Sequence, residues 1–147
     1  MQRVFQFMAV FLILSISLMA CSSQGDTAKD AKFYTNQGTN LIKKEQYDQA
    51  IVNLDRAIQM DPNYALAYNY RGMAYFRSKY FEKALADFNK AIQLNPNLAV
   101  AYNNRAYAYF QKKDYSKAEE DVRKAQDLKY TVDPELLEKL RQVSGSK

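Results

Sequence analysis

Cys21 is the one strong nucleophile in a chain of 147 residues that contains no histidine. Without His or a second Cys, neither a Cys–His nucleophile pair nor a Cys/His zinc site can be assembled, and no intramolecular disulfide can close. The four glycines form no phosphate-cradling loop. Glu119, Glu120 and Asp121 are the densest group of acids, but successive helical residues point in different directions and suit a solvated face better than paired acid–base work. No cofactor and no metal is implied, and the expectation is a protein that is not an enzyme. What chemistry remains belongs to the Cys21 thiol and to whatever surrounds it.

Cys21 ends an apolar run, Phe7 to Met19, that follows a weakly basic start at Arg3. The run has the pattern of a secretory signal and falls short of the roughly 20 apolar residues of a spanning helix. Leu18-Met19-Ala20-Cys21 resembles the lipobox of bacterial lipoproteins. That resemblance implies removal of residues 1–20, a palmitate-like acyl modification of Cys21, and attachment to a membrane of the cell envelope. Several chains on one residue anchor durably where a single chain does not. Ser22 in place of an Asp implies the outer membrane, facing the periplasm, in a two-membrane organism, and the outer face of the cell membrane in a one-membrane organism. An ordinary signal peptide, or a short uncleaved anchor with an incidental Cys, is the alternative reading. Residues 21–30 are polar and without apolar period, a flexible tether spanning at most about 35 Å from Cys21 to Ala31.

The formal charge is +5, and loss of residues 1–20 takes away only Arg3, leaving 20 basic against 16 acidic side chains. The basic residues alternate with acidic ones, as on solvated helix faces, instead of gathering on one face as nucleic-acid binders require. No nucleic-acid partner is expected, while attraction to anionic lipid is compatible with the charge.

These features sit on a period. Tyr34, Tyr68 and Tyr102 are each 34 residues apart, and with them recur Gly38, Gly72 and Ala106, then Ala50, Ala84 and Ala118, then Leu54, Phe88 and Val122, then Ala57, Ala91 and Ala125. A fixed period of this length means stacked supersecondary units that bury their apolar faces on one another. Tyr68, Arg71, Gly72 and Tyr75 share one helical face, and Phe81, Ala84, Leu85, Phe88, Ala91 and Ile92 share another, so each unit is an antiparallel helix pair turning near Ser78 to Tyr80. Gly72 against Ala84 and Ala91 lets the two backbones approach, and Asp61-Pro62 and Asn95-Pro96 end helices. Asp133-Pro134-Glu135 starts another helix, with Asp as N-cap and Pro in the first turn.

The second unit, Tyr68-x2-Arg71-Gly72-x2-Tyr75 with Ala84-x3-Phe88, Ala91 and Pro96, resembles a tetratricopeptide repeat. The fold expected is all-α: an α-solenoid of three tetratricopeptide helix-turn-helix repeats, 31–64, 65–98 and 99–132, with a capping helix and tail over 133–147. Glu45, Lys79 and Lys113 stand where the family usually has a turn glycine. Glu119 and Gln126 replace the apolar Ile51, Leu85, Ile58 and Ile92 of earlier units, which leaves the last unit only partly covered and makes self-association through that end an open reading.

The resemblance also implies a concave groove lined by the first helix of each repeat. Its positions here are Lys32, Thr35, Thr39, Ile42 and Lys43, then Leu66, Asn69, Met73, Phe76 and Arg77, then Val100, Asn103, Tyr107, Phe110 and Gln111. Leu66, Met73, Phe76, Val100, Tyr107 and Phe110 form an apolar strip of the kind that marks partner sites, although Ile42, Phe76 and Phe110 are equally readable as core. With three cations and no acid among these positions, the expected partner is a neutral or acidic protein segment, its backbone within reach of Asn69 and Asn103. Some family members clamp a ligand's terminal carboxylate with Lys and Asn; the matching positions here are Thr35, Thr39, Tyr70, Val100 and Asn104, which do not reproduce that clamp. The function expected is a membrane-anchored adaptor or scaffold in cell-envelope assembly. The alternative is a permanent structural subunit of an envelope machine such as a pilus, secretion or outer-membrane assembly complex.

Overall fold

A computed structural model describes residue 27 and residues 29–144; Cys21, the signal segment and most of the tether lie outside them. The described residues form seven helices and no strand: α1 over residues 29–43, α2 Tyr47–Met60, α3 Ala65–Arg77, α4 Phe81–Leu94, α5 Ala99–Gln111, α6 Tyr115–Asp127 and α7 Pro134–Ser144. α3 pairs with α4 and α5 with α6, α2 and α4 also pack against the following odd helix, and α7 closes the array on α6; α1 meets α2 where Ile42 joins Ala50 and Leu54.

The periodic small residues set the helix spacing. Ala50, Ala57, Ala84, Ala91, Ala118 and Ala125 are all 0% exposed, as are Ala67 and Ala101 on the odd helices. A Cβ added at Gly72 would lie 2.7 Å from Cε1 and 2.8 Å from Cδ1 of Phe88, and one at Gly38 would lie 2.6 Å from Cγ of Leu54. Those distances are below van der Waals contact, so glycine is used for close approach and Phe88 and Leu54 fill the space beside it.

The turns are built without glycine. Glu45, Lys79 and Lys113 have φ of 60°, 64° and 63°, and Lys129, which no spacing rule singled out, has φ of 64°. Each follows a helix whose end closes by two bonds: Lys79 N donates to Phe76 O and Tyr80 N to Tyr75 O, with the same pair at 45–46, 113–114 and 129–130. This is the Schellman arrangement, in which a left-handed residue lets the trailing amides satisfy the last carbonyls. At 61 and 95 the chain leaves the helix differently. Asp61 Oδ1 and Asn95 Oδ1 accept from the amides two residues on, and the periodic Tyr68 and Tyr102 hydroxyls donate to the carbonyls of Pro62 and Pro96 at 3.2 Å.

The polar column at 71 and 105 forms an ion-pair ladder that the sequence reading left without a role. Arg71 donates through Nε and Nη2 to both oxygens of Asp87 at 2.8 and 2.7 Å, and through Nη1 to Asp55 Oδ1 at 2.6 Å. Arg105 repeats this with Asp121 at 2.8 and 2.6 Å and with Asn89 Oδ1 at 2.7 Å. Each guanidinium lies over two tyrosine rings, Tyr68 and Tyr75 or Tyr102 and Tyr109. Each Arg therefore joins the second helix of its own repeat, 16 residues ahead, to that of the preceding repeat, 16 residues behind. Burial is the largest influence on Asp87 and pushes its pKa up, against the pull of the Arg71 guanidinium; Asp121 behaves likewise with Arg105.

At the far end α7 buries Leu136 and Leu140, with Val132 ahead of the helix, against Tyr102, Ala106, Val122 and Ala125. Asp133 caps it, accepting from Glu135 N at 2.9 Å. Gln126 is exposed and Glu119 is half-buried.

Candidate functional site

The faces of α3 and α5 that turn away from their partner helices enclose a cleft of about 360 Å³, lined by Met73, Phe76, Arg77, Asn104, Tyr107 and Gln111 with Phe88 of α4 beneath. Phe76 and Tyr107 meet edge to face at 6.5 Å and form the apolar part. Arg77 and Gln111, both exposed, sit at the turn end of the two helices, and Arg77 makes no ion pair with a described residue. A smaller space of about 160 Å³ continues toward α7, between Tyr107, Phe110, Gln111 and Leu136, with Asp133, Glu135 and Lys139 around it.

Tyr107 joins the two. Its hydroxyl donates to Asp133 Oδ2 at 2.8 Å, and its pKa is pushed up to about 12, first by burial and then by that bond. Asp133 is held below the usual carboxylate range by the Glu135 amide and the Tyr107 hydroxyl. The described groove therefore carries carboxylates at its α7 end, which the sequence positions alone did not include.

The remaining positions expected from the sequence separate into four groups. Leu66 and Val100 are half-buried along α3 and α5, and Phe110 packs on Tyr115 with centroids 5.4 Å apart. Ile42 is 8% exposed within the core formed with Ala50, Leu54 and Ala74, and Phe76 flanks the core of Ala84, Phe88 and Ala108 while keeping an edge on the cleft. Thr35, Asn69 and Asn103 are 2%, 1% and 7% exposed, beneath the groove surface. Thr35 Oγ1 donates to Ala31 O, Asn69 Oδ1 accepts from Asn104 Nδ2 at 3.0 Å, and Asn69 Nδ2 and Asn103 Oδ1 are buried without a partner. Of the asparagines on α3 and α5, the one that reaches the cleft is Asn104. On α1, Thr39 is half-buried and Lys32 and Lys43 are exposed; none of the three lines the cleft between α3 and α5.

Family models described as TPR repeat and tetratricopeptide repeat match residues 38–79, 65–98 and 99–129. The chain belongs to the tetratricopeptide repeat family. Among solved structures, this repeat protein is similar to the first TPR domain of Spaghetti (RPAP3) bound to the HSP90 peptide SRMEEVD, at 28% identity over 81% of this chain and 94% of that one, with a TM-score of 0.74. It is also similar to the yeast Sti1 TPR2B domain in complex with pHsp70, at 29% identity over 68% and 80% of the two chains and a TM-score of 0.66. The Arabidopsis OM64 TPR domain, at 23% identity over 79% and 98% and a TM-score of 0.74, shares the fold. No curated protein matches the chain.

Proposed function

We propose that this tetratricopeptide repeat protein is a lipid-anchored adaptor of the bacterial cell envelope, held by an acylated Cys21 and recruiting protein partners through the α3/α5 groove. The observation that carries the recruiting role is the cleft itself. It offers an apolar seat between Phe76 and Tyr107 with a free guanidinium, Arg77, at its rim and amides from Asn104 and Gln111 beside it. Such a site takes a short segment with one apolar side chain in the seat and an acidic group toward Arg77. One structural neighbour holds an HSP90 peptide and another is in complex with pHsp70, which supports a protein- or peptide-binding role here. The neighbours' ligands are not carried over, because Thr35, Thr39, Tyr70 and Val100 stand where a carboxylate clamp needs cations and amides, and of the matching positions only Asn104 supplies an amide. The anchor rests on the sequence around Cys21 and favours the outer membrane facing the periplasm in a two-membrane organism. An adaptor of this kind acts by raising the effective concentration of its partner near the bilayer.

The test exploits the exposure of Arg77 and Gln111, which can be changed without disturbing the core. Crosslinking from membranes is compared between the parent chain and an Arg77→Glu, Gln111→Glu variant. Loss of the same partners at an unchanged melting temperature is expected; retention of all of them sinks the groove assignment. Labelling with a fatty-acid analogue, with and without Cys21→Ala, checks the anchor, which is abandoned if the parent takes up no label.

A further inference from the structure

The two ends of the solenoid are built differently. On α7 the charges that face outward neutralise one another along the helix, Lys139 with Glu135 at 2.6 Å and Arg141 with Glu138 at 3.7 Å. On α1 they do not. At about 100° per residue, Lys29, Lys32, Phe33, Asn36, Asn40 and Lys43 fall within an arc of roughly 100°, and Lys44 follows in the turn. Every one of these residues is exposed, none of the four lysines pairs with a described carboxylate, and the nearest acids in the chain are Asp30, outside the arc, and Glu45, beyond Lys44 in the turn. Phe33 is 55% exposed. In the next two repeats its position is held by Ala67 and Ala101, both 0% exposed under the preceding helix pair, so α1 presents the face that another repeat would otherwise cover.

We infer that this open face of α1 is a contact surface for anionic phospholipid headgroups, standing the solenoid on its first helix with α7 outermost. The inference rests on the lipid-anchor reading of Cys21 for the nearness of the bilayer. Two observations select lipid as the occupant. Only seven residues separate Cys21 from Lys29, a reach of under about 30 Å. The face also pairs an aromatic ring with cations and lacks acid, the combination that suits a headgroup layer. In this orientation the α3/α5 groove opens sideways, parallel to the membrane, and α1 takes no part in partner capture.

The mature chain carrying Asn36→Cys, or Glu120→Cys on the exposed side of α6, is labelled with a polarity-sensitive fluorophore; acylation of Cys21 leaves the introduced thiol free for the label. It is then mixed with phosphatidylcholine vesicles with or without phosphatidylglycerol. The expected result is blue-shifted emission at position 36 with phosphatidylglycerol only, and none at position 120. Each lysine near an anionic surface is worth about fivefold in partition, so Lys29→Gln, Lys32→Gln, Lys43→Gln and Lys44→Gln together should reduce the shifted population more than tenfold. Equal emission at the two positions, or a position-36 shift that survives the fourfold substitution, overturns the inference. An unmodified Cys21 in the mass spectrum removes the anchor reading by itself. The unlabelled chain is then sedimented with phosphatidylglycerol vesicles: lysine-dependent co-sedimentation supports the contact face, and its absence overturns it.

Discussion

Replacing Arg71 by Leu removes both bonds to Asp87 and the bond to Asp55 at once. The Asp87 side chain is 8% exposed, so its carboxylate cannot recover the lost interaction from water; that of Asp55, at 42%, can. Breaking a buried pair by deleting one partner costs about 3–5 kcal/mol, and the 20% exposure of the Arg71 side chain moves the expectation to roughly 2–3 kcal/mol. For a domain of this size that is on the order of 10 °C in melting temperature. The loss should depend on pH with a definite sign. Once the guanidinium is gone, burial and then the Asp55 charge act on Asp87 unopposed, and its folded pKa, already above the ordinary carboxylate value, rises further. Such a group is compatible with folding while protonated and becomes destabilising as pH rises through its folded pKa. The Arg71→Leu chain should accordingly lose less stability relative to the parent near pH 4 than at pH 7, and Arg71→Leu with Asp87→Asn should recover most of the deficit at pH 7. Urea denaturation followed by circular dichroism at the two pH values measures all three chains. A single-variant loss under about 1 kcal/mol at pH 7, or one equal at both pH values, would refute the picture of a carboxylate that depends on its guanidinium.

Gly72→Ala should destabilise by about 1–3 kcal/mol despite alanine's better helix propensity, because Phe88 is 1% exposed and has no room to retreat; chemical denaturation reads this directly. Lys79→Gly and Lys113→Gly should each stabilise by about 1 kcal/mol, since φ of 64° and 63° suits glycine, with the melting temperature as readout. Asp133 has a lowered pKa, so its contribution is present above the ordinary carboxylate value and lost as pH falls through the folded one. Amide exchange in the first turn of α7 should accelerate in acid before exchange in α3, and Asp133→Asn should remove that difference.

The residues that the sequence could interpret are those whose role is local or repeats in phase. Gly72, Ala84 and Ala91 mark the helix contact because only small residues recur there, and Asp133-Pro134 marks a helix start by capping chemistry alone. The Arg71 ladder was hidden for a different reason. Its partners are 16 residues away, so the pairing appears only when helices are placed side by side, although Arg71 and Asp87 recur as Arg105 and Asp121 at the shared period. In the groove, neighbouring positions on a helix differ by about 100°, and whether Asn103 or Asn104 reaches the surface depends on how α3 and α5 cross. The carboxylates of Asp133 and Glu135 reach the groove only because α7 docks beside Tyr107. Lys129 lacks any Gly or Pro signal, and its left-handed turn is set by the helix end before it.

The half-period geometry of Arg71 and Arg105 makes the array extensible in whole units. If residues 65–98 were duplicated in place, the copy's arginine would meet its own carboxylate ahead and Asn89 of the original behind, while Arg105 would find the copied asparagine where it now finds Asn89. No guanidinium would be stranded, whatever the number of copies. Growth in the other direction lacks this provision, because Gln37 occupies the arginine's place in α1 and has no second arm to offer a preceding unit. Insertion between 98 and 99 would thus lengthen the solenoid while leaving its first and last helices unchanged.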